Sequence, residues 1–495
     1  MLNIRLAATI ALALAVFGSG CREAAVYFPQ QSLEPGAAEA HTLGAYDTNN
    51  DGRANFFTFA DDNGRVTRIG YDNDGDTRAD VVINLDDVPT GNARHLVILL
   101  DGIGYDLARE YYEAGGLRML HPPARVIAPY PTLTDLCMED FLGYVPCDGF
   151  ESEYFDRKRN GLAGGAGAYL RGDNAPYNRL LQYRADLVYD AIGYVFPRAV
   201  YRKEINEAKR VFDGATTQEV LVYLVSSAGV GTQSGRQGHR ECLQFVDRLI
   251  NQVVLETRGL VRITVMADHG HSYTPAKRIP LEEHLQSKGW RLRESLQGPK
   301  DVVYIRFGLE TYASFATDSP AALAADLAAA EGVTIASYAD GQDVVVLGRG
   351  GTKAKVTQKD GRFGYDAHNG DPLKLADILA SLAADADGLY DAEQLLQATA
   401  THEYPAPLQR LWRAHFALVA NPPDVIISLE DRFFSGAKSF AGSVDIASTH
   451  GGLNYRNSVT FIMSTVGPLP PVMQSADVPR HMKTLLGVKD WPMRK

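Results

Sequence analysis

His95-Leu96-Val97-Ile98-Leu99-Leu100-Asp101-Gly102 and Arg262-Ile263-Thr264-Val265-Met266-Ala267-Asp268-His269-Gly270-His271 decide the fold. Each is a mostly apolar run, which predicts a strand buried on both faces. Each ends in an acid followed by Gly or His-Gly. In open α/β sheets, ligands bind beyond the carboxyl ends of the strands. Small residues there let the backbone bend tightly around an ion. Val220–Val225, followed by Ser226-Ser227-Ala228, and Ser458–Ser464, just after Thr449-His450-Gly451-Gly452, read as two further strands. Gly238–Leu255 carries Leu243, Val246, Ile250 and Val253 at helical spacing, so it predicts an amphipathic helix covering the sheet. From residue 94 onward this alternation predicts an α/β fold, a mostly parallel central sheet sandwiched by helices.

The chain has 495 residues, 49 Lys+Arg and 60 Asp+Glu, for a net charge of −11. Such acidity disfavours a binder of nucleic-acid duplexes, whose phosphates attract basic surfaces. With 45% hydrophobic and 22% charged residues the composition is that of a globular protein. One long apolar run, at the N-terminus, excludes a polytopic membrane protein, and four Cys are too few for a disulfide framework.

That run, Leu6–Phe17 after Arg5, is too short to span a bilayer but suits a signal peptide over residues 1–20. Gly18, Ser19 and Gly20 precede Cys21, which resembles a bacterial lipoprotein signal. The expectation is export, to a periplasmic face or the cell surface, with a lipid anchor on Cys21 as the membrane contact. Plain secretion is the alternative. Residues 21–45 lack periodicity and read as a tether. In an oxidising compartment Cys137 and Cys147 are close enough in sequence to pair, leaving Cys242 as a buried thiol.

Residues 46–90 hold an acidic repeat. Asp47, Asn49, Asp51 and Asn55 occupy relative positions 1, 3, 5 and 9, and Asp72, Asp74, Asp76 and Asp80 repeat that register. Alternate oxygen-bearing side chains in a tight loop converge on one point, as Ca²⁺ requires. The loops resemble EF-hand, dockerin and thrombospondin-type calcium repeats. Val66–Ile69 and Val81–Ile83 read as strands, so the pair is not an EF-hand. The expected role is structural; the alternative is an Asx-rich surface turn.

Between the first two acid-terminated elements lies Pro129-Tyr130-Pro131-Thr132-Leu133-Thr134-Asp135. A Thr hydroxyl becomes a good nucleophile when metal coordination lowers its pKa. With this motif in place, residues from about 94 to 490 resemble the alkaline phosphatase superfamily, in its type I phosphodiesterase/nucleotide pyrophosphatase branch. The motifs that carry the resemblance are Asp101-Gly102, Thr132-x-Thr134, Asp268-His269-Gly270 and Thr449-His450-Gly451. It implies Thr134 as nucleophile; Asp101, Thr134, Asp268 and His269 around one divalent metal, Zn²⁺ or Mn²⁺; and His450 serving a second metal. It implies a phospho-threonine intermediate resolved by water, and a small-molecule or envelope phosphate ester as substrate.

The branch's Asp-x-x-Gly-His-x-x-Gly stretch, which completes the second metal, reads Ala228-Gly229-Val230-Gly231-Thr232-Gln233-Ser234-Gly235 here. Ala228 and Thr232 replace its acid and imidazole. Three readings follow. One is a two-metal phosphoesterase with His450 and His239 in the second site. Another is a one-metal enzyme, such as a phosphotransferase of the cell envelope, in which His450, with His239 or His271, neutralises phosphate oxygens or protonates the leaving group. The third is a binding protein on an inherited fold. A sulfatase signature and a Gly-x-Ser-x-Gly elbow are both missing. In domain terms, residues 91–274 and 401–495 form the core, and 275–400 an inserted cap holding a helix over Pro320–Glu331 and a strand over Asp343–Leu347.

Overall fold

The computed structural model describes residues 24–33, 41–173, 175–185, 196–306, 308–436 and 446–493. The expected signal peptide, residues 1–20, and Cys21 lie outside the described residues. The central sheet has seven strands in the order Val472–Gln474, Ala124–Ile127, Val459–Ser464, Arg262–Ala267, His95–Leu100, Glu219–Leu224 and Tyr183–Arg184. Only Val459–Ser464 runs against its neighbours; the other pairings are parallel.

Alternation along His95–Leu100 explains why helices cover both faces. Leu96, Ile98 and Leu100 join a core with Leu107, Ile205, Leu243 and Ile250 from the helices Tyr105–Glu113, Pro197–Gly214 and Ser226–Thr257. Val97 and Leu99 point the other way, to Met138, Phe141 and Met482 of the helices Thr134–Leu142 and Val478–Leu486. The result is the α/β sandwich that the apolar runs predict. The covering helix is longer than its periodic stretch: it starts at Ser226 and kinks at Gly235, whose φ of 55° lies in the left-handed region.

A second sheet of eight strands follows, in the order Arg291–Leu292, Asp301–Ile305, Tyr312–Thr317, Val425–Leu429, Val333–Asp340, Asp343–Gly348, Lys353–Lys359 and Arg362–Asn369. Beyond its first, parallel pair it is antiparallel. Val425–Leu429 sits inside this sheet, between Tyr312–Thr317 and Val333–Asp340, so the sheet continues past the residue 400 at which the sequence reading ended the insert. Only pairing across about a hundred residues, which local pattern does not encode, could have moved that boundary.

The N-terminal region also departs from expectation. Thr42–Tyr46 begins a four-stranded antiparallel meander with Phe56–Ala60, Val66–Tyr71 and Val81–Asn84. Upstream, residues 24–33 are no tether. Val26 and Phe28 are buried, with Phe28 against the rings of Tyr46 and Phe56 at 4.8 and 5.9 Å. The Gln252 side chain accepts from the Tyr27 and Phe28 amides at 2.7 and 3.1 Å, and Arg248 Nε donates to Phe28 O at 2.7 Å. Burial of two apolar residues and satisfaction of the intervening backbone dock this arm on the long helix. Cys137, Cys147 and Cys242 are all free thiols, so the expected Cys137–Cys147 pair is not formed. Cys137 is buried on the Thr134–Leu142 helix, whereas Cys147 Sγ turns to the carbonyls of Gly149 and Leu418, both at 3.4 Å.

A candidate metallo-phosphoryl site at the strand ends

Parallel register puts Leu100, Leu224 and Ala267 level with one another. The residues that follow therefore emerge together. Asp101 follows Leu100. Its amide donates to Ser227 Oγ at 2.8 Å. Tyr223 OH donates to its Oδ2 at 2.5 Å. Asp268 follows Ala267, and its Oδ1 accepts the amides of Gly102 at 3.0 Å and His269 at 2.8 Å. Gly102 makes this possible with φ +74°; a Cβ there would stand 2.8 Å from His271 Cδ2.

His269 Nδ1 faces Gly270 O at 2.9 Å. That acceptor fixes the proton on Nδ1 and leaves the Nε2 lone pair inward. Nε2 lies 3.5 Å from Asp268 Oδ2 and 3.7 Å from Asp101 Oδ1. Thr134, first residue of its helix, completes the group: Oγ1 is 3.4 Å from Asp101 Oδ2 and 3.3 Å from His269 Nε2. The four sequence-predicted residues are thus brought together.

The donor set fits a divalent cation. Ligand atoms of Asp101, Asp268 and His269 all lie within 4.8 Å of one another, and all three residues are buried. Asp268 Oδ2 is fully buried and accepts no hydrogen bond from the described residues. Two buried carboxylates facing an imidazole lone pair form an arrangement that a bound cation stabilises. Two carboxylate oxygens, one imidazole nitrogen and a hydroxyl are donors that divalent metal ions accept. Burial raises the Asp268 carboxyl to about 7 and lowers the His269 imidazole to about 4.

His450 joins from the opposite side. Its ring stacks on His269 with centroids 4.0 Å apart, and Nδ1 bonds Thr132 O at 2.8 Å. Thr132 ties the two loops further, since Oγ1 accepts from Gly451 N–H at 2.9 Å and Thr132 N–H donates to Gly451 O at 3.2 Å. Burial, and then His269, hold His450 well below the ordinary imidazole value. His271 is 5.4 Å from His450 between ring centroids; its Nδ1 pairs with Ser448 Oγ, while Nε2 is buried with no hydrogen-bond partner among the described residues. His239 lies 5.2 Å from His271, yet both its nitrogens are taken inside the fold, Nδ1 by Tyr273 OH at 2.8 Å and Nε2 by Ser227 O at 3.0 Å. That leaves His239 no atom for a phosphate or a second metal. Ala228 is buried near the start of the long helix, and Thr232 there offers its carbonyl to Ala447 N–H at 2.8 Å.

Sequence reasoning did not single out Tyr223 or Glu310. Tyr223 is hidden by the strand's apolar run, although a phenol in a doubly buried strand needs a polar partner. Glu310 comes to the His450 loop because Thr311 N–H donates to His450 O at 2.6 Å. Burial, then Glu151, raises its carboxyl well above the ordinary range.

The two acidic loops form the same turn twice. Asp47 accepts from the amides of Asn50 at 2.6 Å and Gly52 at 2.7 Å, and Asp72 from those of Gly75 and Thr77, both at 2.7 Å. Asn55 and Asp80 close the turns by accepting from Thr48 and Asn73 N–H at 2.7 and 2.6 Å. In the second loop, carboxylates of Asp72, Asp74 and Asp80 lie within 4.8 Å of one another; Asp76 instead accepts from Arg78 N–H at 2.9 Å.

No protein-family model matches the chain, and no curated protein matches it. Among solved structures, murine ectonucleotide pyrophosphatase/phosphodiesterase 5 is similar over 81% of this chain and 97% of its own, at 12% identity and a TM-score of 0.45. The human protein of that name is similar over 81% and 96%, at 10% identity and a TM-score of 0.43.

Proposed function

We propose that the protein is an exported, metal-dependent phosphoric ester hydrolase, a phosphodiesterase or phosphomonoesterase, with Thr134 as nucleophile. One observation carries this reading: Thr134 Oγ1 sits 3.4 Å from Asp101 Oδ2 and 3.3 Å from His269 Nε2, at a buried acid–imidazole cluster. Asp101, Thr134, Asp268 and His269 would hold the ion, Zn²⁺ by preference and Mn²⁺ as the alternative. A divalent ion so held lowers the pKa of a hydroxyl and neutralises phosphoryl charge.

Thr134 Oγ1 passes its proton to solvent and attacks phosphorus in line; the P–O bond to the leaving group breaks, the departing oxygen takes a proton from water to leave as the alcohol, and phospho-threonine results. The amino end of the Thr134–Leu142 helix, which no side chain caps, offers backbone amides to the equatorial oxygens. His450, with its proton on Nδ1 and Nε2 unprotonated, suits the second step, taking a proton from the water that displaces Thr134.

A second reading, a one-metal phosphotransferase of the cell envelope, is favoured by Ala228, Thr232 and the internally bonded His239, which leave the branch's second-metal frame without ligands. An acceptor alcohol then replaces water. The substrate in either case is a small-molecule or envelope phosphate ester. Export rests on Leu6–Phe17 and the small residues before Cys21, whose lipidation would be the membrane contact. The Asp47–Asn55 and Asp72–Asp80 loops would each bind Ca²⁺ and order the N-terminal module.

Metal analysis of the purified protein, with hydrolysis of chromogenic phosphate mono- and diesters, tests the proposal. A wild-type chain that binds no transition metal and cleaves neither ester would leave the binding-protein reading in its place.

A further inference from the structure

Arg410 lies on the helix Pro407–Phe416, which packs on the second sheet. It is 2% exposed. Its guanidinium reaches three loops: Nη1 donates to Pro405 O at 3.2 Å and Leu453 O at 3.0 Å, and Nη2 to Pro129 O at 3.2 Å. Pro129 opens the segment that leads to Thr134. Leu453 closes the segment that begins at His450. One side chain thus fastens both loops of the proposed site to the inserted sheet.

A buried cation is costly without a counter-ion. No carboxylate is among the groups that act on Arg410; those are Tyr130 and Cys137, and burial pushes its pKa down to about 9. Its Nε is buried with no hydrogen-bond partner among the described residues. Nothing in stability alone recommends a charge there, since a neutral donor could meet one carbonyl. What a planar fork of five N–H donors supplies, and a lysine ammonium does not, is fixed angular spacing between several acceptors. The same two loops already interlock through Thr132 and Gly451 and through His450 Nδ1 and Thr132 O. A shift of Pro129 against Leu453 would therefore move Thr134 relative to His450.

We propose that Arg410 is a positioning residue, holding the Thr134 loop and the His450 loop in register from the inserted domain. Its catalytic consequence rests on the phosphoesterase reading above; the locking of the loops does not. Two measurements keep these apart, made on the full chain with Arg410→Lys and Arg410→Gln. The first is hydrogen exchange at residues 129–134 and 450–453. The second is steady-state kinetics on a chromogenic phosphodiester, with and without added guanidinium ion.

Faster exchange in both loops, and a fall in kcat of about 100-fold at little-changed KM, are expected, because misplaced reacting groups lose that order of rate. Partial recovery of kcat by guanidinium is expected in a third variant, Arg410→Ala, whose truncated side chain leaves room for it, and none by methylammonium. Exchange as in the wild type in Arg410→Lys and Arg410→Gln overturns the inference, as does a lowered melting temperature with kcat intact. If the wild type itself has no turnover while exchange still rises in both loops, the phosphoesterase reading falls and the positioning inference stands.

Discussion

Thr134 Oγ1 lies 3.3 Å from His269 Nε2, although 135 residues separate them in the chain. The contact joins the amino end of a helix on one face of the sheet to the carboxyl end of a central strand. It also puts a hydroxyl against an imidazole nitrogen that bears a lone pair. A hydroxyl, two carboxylates, an imidazole and a helix amino end meet at one point.

Thr134→Ala should abolish turnover, by at least about 1,000-fold in kcat, since the proposed nucleophile is gone. Thr134 is only partly buried and begins its helix, so the melting temperature should fall by no more than a few degrees. Thr134→Ser should retain measurable activity. Full activity in the Ala variant on mono- and diesters would remove Thr134 from the mechanism.

Metal binding should strengthen with pH across neutrality. Burial raises the Asp268 carboxyl in the cation-free chain from 3.8 to about 7. The folded chain then holds a proton that the unfolded chain has lost. This contribution to stability is complete below the unfolded pKa and is lost as pH rises through the folded one. A bound cation must displace that proton. The rise in melting temperature on adding Zn²⁺ should therefore grow from about pH 5 to about pH 8. A shift of equal size at both pH values would show that the cation does not engage Asp268.

The parts legible in the sequence share one property: a local pattern suffices to set them. His95–Leu100 and Arg262–Ala267 are buried on both faces, so they read as apolar runs, and the acid that ends each marks the sheet's carboxyl edge. Thr134 is marked in the sequence by the Pro-Thr-x-Thr pattern that carries the resemblance. Val425–Leu429 was missed as part of the second sheet because its partners lie far upstream. The Val26–Phe28 arm was missed because two apolar residues amid Pro, Gln and Ala show no period. Arg410 gave no signal, because a buried arginine looks like any other on an amphipathic helix.

Gly102→Ala should cripple the site. The position has φ +74°, and the new methyl would press on His271 Cδ2 at 2.8 Å. The left-handed backbone alone costs an L-residue about 1–2 kcal/mol. Thermal unfolding and ester hydrolysis should both decline, hydrolysis far more, because the Gly102 amide also bonds Asp268. A variant with wild-type kinetics would show that this turn does not set the geometry of Asp268.

Ala228→Asp combined with Thr232→His restores the acid and imidazole that the resemblance assigns to a second metal. If that frame still faces His450, bound transition metal should rise from about one to about two per chain. Elemental analysis after dialysis reads this directly. Two metals in the wild type, before any substitution, would refute the one-metal reading.

Calcium removal should destabilise the N-terminal meander. A chelator should lower the melting temperature by a few degrees, the scale expected for losing a ligand held well above its Kd. Asp72→Asn with Asp74→Asn should reduce the effect of a calcium-selective chelator to the share of the Asp47 loop, because both acids belong to the convergent carboxylate group. An unchanged chelator response in that variant would assign the Asp72 loop to an ordinary Asx turn.

The docked arm sets a working distance. Phe28 and Val26 are wedged beside Gln252 on the long helix. Only Arg22 to Ala25 separate Val26 from Cys21, a leash of about 17 Å at full stretch. An acyl group on Cys21, as proposed, would keep the docked arm within that distance of the bilayer. The protein would then be a moored body and not a freely diffusing one.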